Sequence, residues 1–201
     1  MVLSQQGHAM SEIKPIFVDI DGVVNSSRSV HVKIGPDEHS KIVEDLADFA
    51  GPLPYGVVHA LKTVDPVCVA LVNKLFDDIH ASGKIGVFVL SSTHRKHFHN
   101  GKYGNADHLV KLRKYLTAMG FNVPTMFSIT QSLHVPRGEE VKMWLASEDC
   151  SEADYVILDD GADFDTTQPL VRVDPTIGMS FENYADACKY LSLPSPGLIL
   201  L

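Results

Sequence analysis

The sequence predicts an α/β fold, a mostly parallel sheet with helices on both faces, and three observations carry that reading. Short, nearly unbroken apolar runs recur along the chain, amphipathic stripes of helical spacing separate them, and acidic or hydroxyl residues close several of the runs. An apolar run without polar alternation fits a strand buried on both faces. Alternation of such strands with helices fits a parallel sheet covered by crossover helices. At 201 residues the chain suffices for one domain with a proper core and is short for two. With 45% hydrophobic and 21% charged residues and a net charge of -8, it is not a disordered chain, a collagen-like repeat or a disulfide scaffold.

Taken in order, residues 1–14 show no periodicity and read as a loose leader, so the domain is expected to span residues 15–201, opening at Pro15. Ile16 to Ile20 is the first strand, closed by acidic residues and the turn at Gly22. Between Asn25 and Asp65 the alternation stops. Residues 26–64 hold one helix-like patch, Ile42, Val43, Leu46 and Phe49, followed by Gly51-Pro52-Leu53-Pro54. This stretch reads as a small cap over the strand ends or as a peripheral insertion. Asp65-Pro66 then pairs an N-cap with a proline at the first helical position, and Val69, Val72, Leu75, Phe76 and Ile79 keep one apolar face until Gly83.

Ile85 to Leu90 is the second strand, ending at Ser91-Ser92-Thr93. Leu109, Leu112, Leu116 and Met119 mark a helix before Gly120, and Thr125 to Ile129 is a weaker strand. Val141, Trp144 and Leu145 form a helical stripe after Pro136. Tyr155 to Leu158 ends at Asp159-Asp160, Leu170 to Val173 ends at Asp174-Pro175, and Tyr184, Ala187, Cys188 and Leu191 form the last stripe before Pro194. No internal repeat is present. Cys68, Cys150 and Cys188 are odd in number, far apart and in apolar surroundings, which fits buried reduced thiols in a cytoplasmic protein. No run approaches the ~18 to 20 apolar residues of a spanning helix, so no membrane partner is expected.

Ligands of such sheets bind at the carboxyl ends of the strands, and there the chemistry-bearing residues gather. The first strand delivers Asp19 and Asp21, the second Ser91, the fourth Asp159 and Asp160 with Asp163 close behind. Carboxylates gathered at one sheet end repel unless a cation sits among them. Oxygen donors without soft ligands favour Mg²⁺, which is usually completed by waters and a substrate phosphate. Ser91 offers a hydroxyl, and Arg137, beside Gly138 at a helix start, offers a forked guanidinium and free backbone N–H groups. An aspartate can attack the phosphoryl group that such donors would hold, and a second carboxylate can move the protons.

These residues stand in ordered motifs. Asp19-Ile20-Asp21-Gly22-Val23-Val24-Asn25, the strand ending in Ser91, Arg137-Gly138 and Asp159-Asp160 resemble, in sequence order, the four motifs of the haloacid dehalogenase-like (HAD) phosphohydrolases. The closer resemblance is to the HAD domain of Swiss Army knife RNA-repair proteins. It is carried by Leu90-Ser91-Ser92-Thr93-His94-Arg95, by Arg137-Gly138-Glu139-Glu140-Val141-Lys142-Met143-Trp144-Leu145, by Tyr155 to Phe164, and by Asp174-Pro175-Thr176-Ile177-Gly178-Met179.

The resemblance implies a Rossmann-like HAD fold and a Mg²⁺-dependent phosphomonoesterase working through an aspartyl-phosphate. By its motifs Asp19 is the nucleophile and a metal ligand. Asp21 is the acid/base, with its backbone carbonyl on the metal. Ser91 holds the phosphoryl oxygens, Asp160 completes the metal shell, and Asp159 or Asp163 supports it. Arg137 is the expected third-motif cation, with Lys142 the alternative; Ser92, Arg95 and Lys142 are further candidates for touching substrate. The implied partner is a phosphorylated substrate, a nucleotide or a nucleic-acid end. A phosphotransferase or phosphomutase acting on a small metabolite shares these motifs, and a non-catalytic phosphate-binding module shares the fold; Asp21 argues against a dehalogenase. His94, Lys96, His97, His99 and Lys102 form a basic loop that either attracts a polyanion or is simply solvated. Gly197 to Leu201 is apolar enough to dock on the body or on another subunit.

Overall fold

The computed structural model describes residues 12–29, 60–61, 63–97, 106–151 and 153–194. Residues 1–11 of the expected leader, most of the 26–64 insertion with its Ile42, Val43, Leu46 and Phe49 patch, His99, Lys102, Gly197 to Leu201 and the side chain of Leu109 lie outside the described residues.

Five parallel strands form one sheet: β1 (Ile13–Val18), β2 (Ile85–Leu90), β3 (Phe127–Ile129), β4 (Val156–Asp159) and β5 (Leu170–Arg172), in the order β3-β2-β1-β4-β5. Among the described residues the helices α1 (Pro66–Ala81), α2 (Ala106–Ala118), α3 (Arg137–Ser147) and α4 (Phe181–Tyr190) accompany them. The sheet is the mostly parallel α/β sheet that the apolar runs predict.

Alternate residues of each strand feed two cores. Ile16, Val18, Phe88, Leu90, Val156 and Leu158 pack on one face with the buried sides of α1, α2 and α4. On the other face Phe17, Val87, Val89 and Ile157 meet Val141, Trp144 and Leu145 of α3. Trp144 stands edge-on to Phe17 at 5.3 Å and donates its indole N–H to Ser128 Oγ at 3.0 Å. The helices start where the sequence places them. Asp65 caps α1 by accepting from the backbone N–H of Val67 at 2.9 Å, and Ser180 with Asn183 closes a capping box on α4.

β1 differs at both ends from the expected Ile16 to Ile20, closing at Val18 so that Asp19 and Ile20 belong to the turn, and β3 starts at Phe127 rather than Thr125. β1 begins at Ile13, two residues before Pro15, so the expected leader supplies part of the central strand. Lys14 is fully buried there, held by Asp154 at 2.6 Å and by Glu12, so a charged residue sits inside a strand. Pro15 is tolerated for a geometric reason. The Val18 carbonyl faces β2 and the Asp19 N–H faces β4, so position 15 also faces β4, whose pairing begins only at Ile16. No ladder bond is lost.

From β1 the chain runs outward to β2 and β3, then returns through α3 to lay β4 on the other side of β1. The strand order reverses between β1 and β4, and in such sheets the ligand crevice lies at the carboxyl ends of the strands at that reversal. Cys68, Cys150 and Cys188 are all buried free thiols. Among the described residues no helix is long and apolar enough to cross a membrane.

Candidate active site

The ends of β1, β2 and β4 and the start of α3 supply the groups. Asp19 follows β1, is buried, and accepts from the Ile20 N–H through Oδ1 at 2.7 Å. Asp159 closes β4 with no exposed surface and accepts from the Gly161 N–H at 2.7 Å. Arg137 opens α3 and places Nη1 2.6 Å from Asp19 Oδ2 and 2.6 Å from Asp159 Oδ2, bridging the two strand ends. Ser91 follows β2; its Oγ is buried and has no hydrogen-bond partner among the described residues, while Arg137 Nη1 lies 3.4 Å from its carbonyl. A buried hydroxyl without a partner, on a residue whose carbonyl meets the Arg137 guanidinium, is a donor available to a ligand.

The close approach of the first and fourth loops depends on Gly22. Its φ of +78° suits glycine, and a Cβ there would stand 2.5 Å from Asp160 Oδ2. The turn is buttressed from behind by the Asp174 to Met179 segment: the Met179 N–H donates to the Val23 carbonyl at 2.8 Å, and the Ser27 N–H donates to the Pro175 carbonyl at 3.0 Å. This gives the closing Asp-Pro motif a structural duty at the site.

Asp19, Asp159 and Asp160 each present an oxygen within 4.8 Å of the others. The charge on this group is under-compensated. Burial, then Asp19 beside it, pushes Asp159 up to about 7 despite Arg137, and burial with Asp19 also raises Asp160. Burial works against the charge of Arg137, yet Asp19 and Asp159 outweigh it and hold the guanidinium above its ordinary value. Three oxygen donors, two of them held above their usual range by burial and by the neighbouring Asp19 charge, fit a hard divalent cation such as Mg²⁺.

The other predicted residues are placed differently. Asp21 projects into the mouth, its side chain 56% exposed, with Oδ1 accepting from Asn25 Nδ2 at 2.8 Å and Oδ2 3.0 Å from His94 Nε2. Asp163 accepts from the Arg137 N–H at 3.1 Å and lies 3.8 Å from its Nε, so it positions Arg137 and stands apart from the three-carboxylate group. Ser92 is fully buried and accepts from the His94 N–H at 3.3 Å, which makes it part of the 3₁₀ turn Thr93–His97 and not a surface offered to substrate.

Arg95 points inward. It donates to the carbonyls of Ser91 and Ser92 at 2.7 and 2.8 Å and pairs with buried Glu140, which also accepts from the Leu133 N–H at 2.8 Å. Burial pulls its pKa down in spite of Glu140. Its fork is spent on tying the β2 turn to α3. Lys142 lies on the outer side of α3, 2.9 Å from Glu139 and 3.4 Å from Asp165, away from Asp19. Of the two third-motif candidates, Arg137 is the one brought to Asp19.

Glu140 escaped the sequence reading, although one signal was available. It stands four residues before Trp144, on the buried side of the helix, where a carboxylate needs a partner.

Compared with known families, the chain matches the HAD domain in Swiss Army Knife RNA repair proteins over residues 15–184. The chain belongs to that family. Comparison with curated proteins and with solved structures returns no match. Membership in this HAD family accords with the parallel sheet and with its acidic crevice, and it points to phosphatase-type hydrolase chemistry in general.

Proposed function

We propose that the protein is a Mg²⁺-dependent phosphomonoesterase acting through an aspartyl-phosphate on nucleotide or nucleic-acid-end phosphates in the cytoplasm. The observation that carries this reading is the convergence of Asp19, Arg137 and Asp159 at 2.6 Å contacts beside the lone Ser91 hydroxyl. The RNA-repair setting of the family supports the substrate class.

In the proposed reaction an Asp19 oxygen attacks phosphorus and the bond to the leaving oxygen breaks, while Asp21, as a carboxylic acid, gives that oxygen its proton. Asp21, now a carboxylate, takes a proton from the water that attacks the aspartyl-phosphate. The Asp19 oxygen departs, and inorganic phosphate leaves. Arg137 and the Ser91 Oγ–H face the phosphoryl oxygens and offset their charge, which is where most of the catalysis of phosphoryl transfer resides. Asp19, Asp160 and Asp159 would hold the metal, which supplies further charge neutralisation on those oxygens.

Phosphate release with Mg²⁺ and with EDTA tests the reading, using an aryl phosphate, the nucleoside 3′- and 5′-monophosphates and end-phosphorylated oligonucleotides. Asp19→Asn keeps the shape but removes the nucleophile, so turnover should fall at least ~10³-fold. Full activity in that variant, with deamidation excluded by mass spectrometry, would overturn the assignment. A phosphorylated acceptor in place of free phosphate would identify a transferase using the same residues.

A further inference from the structure

The acid/base carboxylate of the proposed reaction sits at the exposed mouth of the crevice, where a side chain turning freely would seldom face a leaving oxygen. Two groups hold it. Asn25, from its own turn, donates to Oδ1, and His94, from the 3₁₀ turn after β2, meets Oδ2 at 3.0 Å. His94 is only 6% exposed although it begins the basic loop. Its ring stacks on Tyr115 of α2, with centroids 6.3 Å apart and planes at 19°, and its Nδ1 lies 3.3 Å from the Tyr115 hydroxyl. Tyr115 is itself 1% exposed, and burial raises its pKa, so it stays a neutral phenol.

While Asp21 is a carboxylate, the donor and acceptor inventory orders the protons of the two His94 contacts. A carboxylate only accepts, so Nε2 carries the proton it gives to Asp21. Nδ1 is then the acceptor of the Tyr115 O–H. Each Asp21 oxygen takes part in one contact, with Asn25 or with His94, and a carboxylate oxygen has two lone pairs, so accepting one bond does not by itself bar it from carrying a proton.

Resting on the phosphatase reading, we propose that His94, fixed in the Nε2–H tautomer by Tyr115, is a positioning residue that aims Asp21 at the leaving oxygen. General-acid help matters most where the leaving group is a poor one. An alkoxide needs the proton; a nitrophenolate scarcely does. The quantity to read is kcat/KM, because it covers steps only through formation of the aspartyl-phosphate and leaves out the hydrolysis common to every ester.

The experiment measures kcat/KM for 4-nitrophenyl phosphate, phenyl phosphate and the nucleoside monophosphate that the wild-type protein cleaves best, in His94→Ala, His94→Gln and Tyr115→Phe. His94→Ala should lose about tenfold to a hundredfold more on the alkyl ester than on 4-nitrophenyl phosphate. His94→Gln, whose amide N–H replaces the donor, should recover most of that difference, and Tyr115→Phe should show the same trend more weakly. Equal losses on all three esters would make His94 merely structural, and no loss would remove it from the reaction; either overturns the proposal. If His94→Ala has no cooperative melt, Tyr115→Phe decides, and a leaving-group dependence unchanged from wild type in that variant overturns it. Absence of metal-dependent release from the wild type, or an active Asp19→Asn variant, would instead refute the phosphatase reading and this inference with it.

Discussion

The two ends of the sheet each carry a charge cluster, and they are built on opposite principles. At the amino end Lys14 and Lys84 face Glu12 and Asp154, cation for anion. Lys14, then Lys84, holds Glu12 below the ordinary carboxylate range, and Lys14 does the same for Asp154. At the carboxyl end Asp19, Asp159 and Asp160 share Arg137, and Asp159 and Asp160 are pushed up instead. Arg95 does not redress that balance, since Glu140 already answers it. A balanced cluster is a structural tie, whereas one left short of positive charge is prepared to receive a cation or to move protons.

The sharpest test of that contrast removes the cation from each end. Arg137→Met should reduce phosphate release about 10²- to 10³-fold, because the charge facing the phosphoryl oxygens is lost. Lys14→Met, remote from the crevice, should leave release within about twofold of wild type. Comparable losses in kinetic assays of the two variants would erase the distinction.

A smaller effect follows from the sign of the pKa shifts. Asp159 stands at about 7 in the folded protein, above its ordinary 3.8. Between those values the folded state keeps a proton that the unfolded state has released, so this group costs stability increasingly as pH rises from about 4 to about 7. Glu12 and Asp154, shifted downward, contribute in the opposite sense and only in acid, their share being lost as pH falls below the ordinary carboxylate range. The metal-free protein should therefore melt lower at pH 7.5 than at pH 5.5, by on the order of 3 °C, with Mg²⁺ reversing the loss. Asp159→Asn should shrink the difference, and calorimetry showing an equal difference in that variant would assign the pH dependence elsewhere. The smallest effect belongs to Lys142→Ala, an exposed pair on α3, expected to shift the melting temperature by no more than about 1 °C and activity by no more than about twofold.

The fold was legible wherever burial is uniform. β2 and β4 are read at once because both faces of each are apolar, and α1 because Asp65-Pro66 announces its start. β1 was read short because the ion pairs that allow Lys14 inside a strand join it to Asp154, which no local pattern reveals. The same limit divides the site. Asp19, Ser91, Arg137, Asp159 and Asp160 end strands or begin a helix, so topology alone brings them together. Ser92 and Arg95 sit beside Ser91 in sequence, yet local turn geometry sends them into the core, and Glu140 rather than a substrate receives the guanidinium. The contact of His94 with Asp21 joins different strand ends and could not be read from spacing.

Pro15 has a consequence during synthesis as well as in the finished sheet. β1 leaves the ribosome well before its partner on one side, β4. For that interval the central strand has a bare flank, the kind of template on which nascent chains pair wrongly with one another. A proline turned toward that flank removes one donor from it, and the lysine beside it adds a charge that disfavours stacking. The two residues that least resemble a central strand thus act as its temporary guard until β4 arrives, and β4 brings with it the carboxylates that complete the crevice.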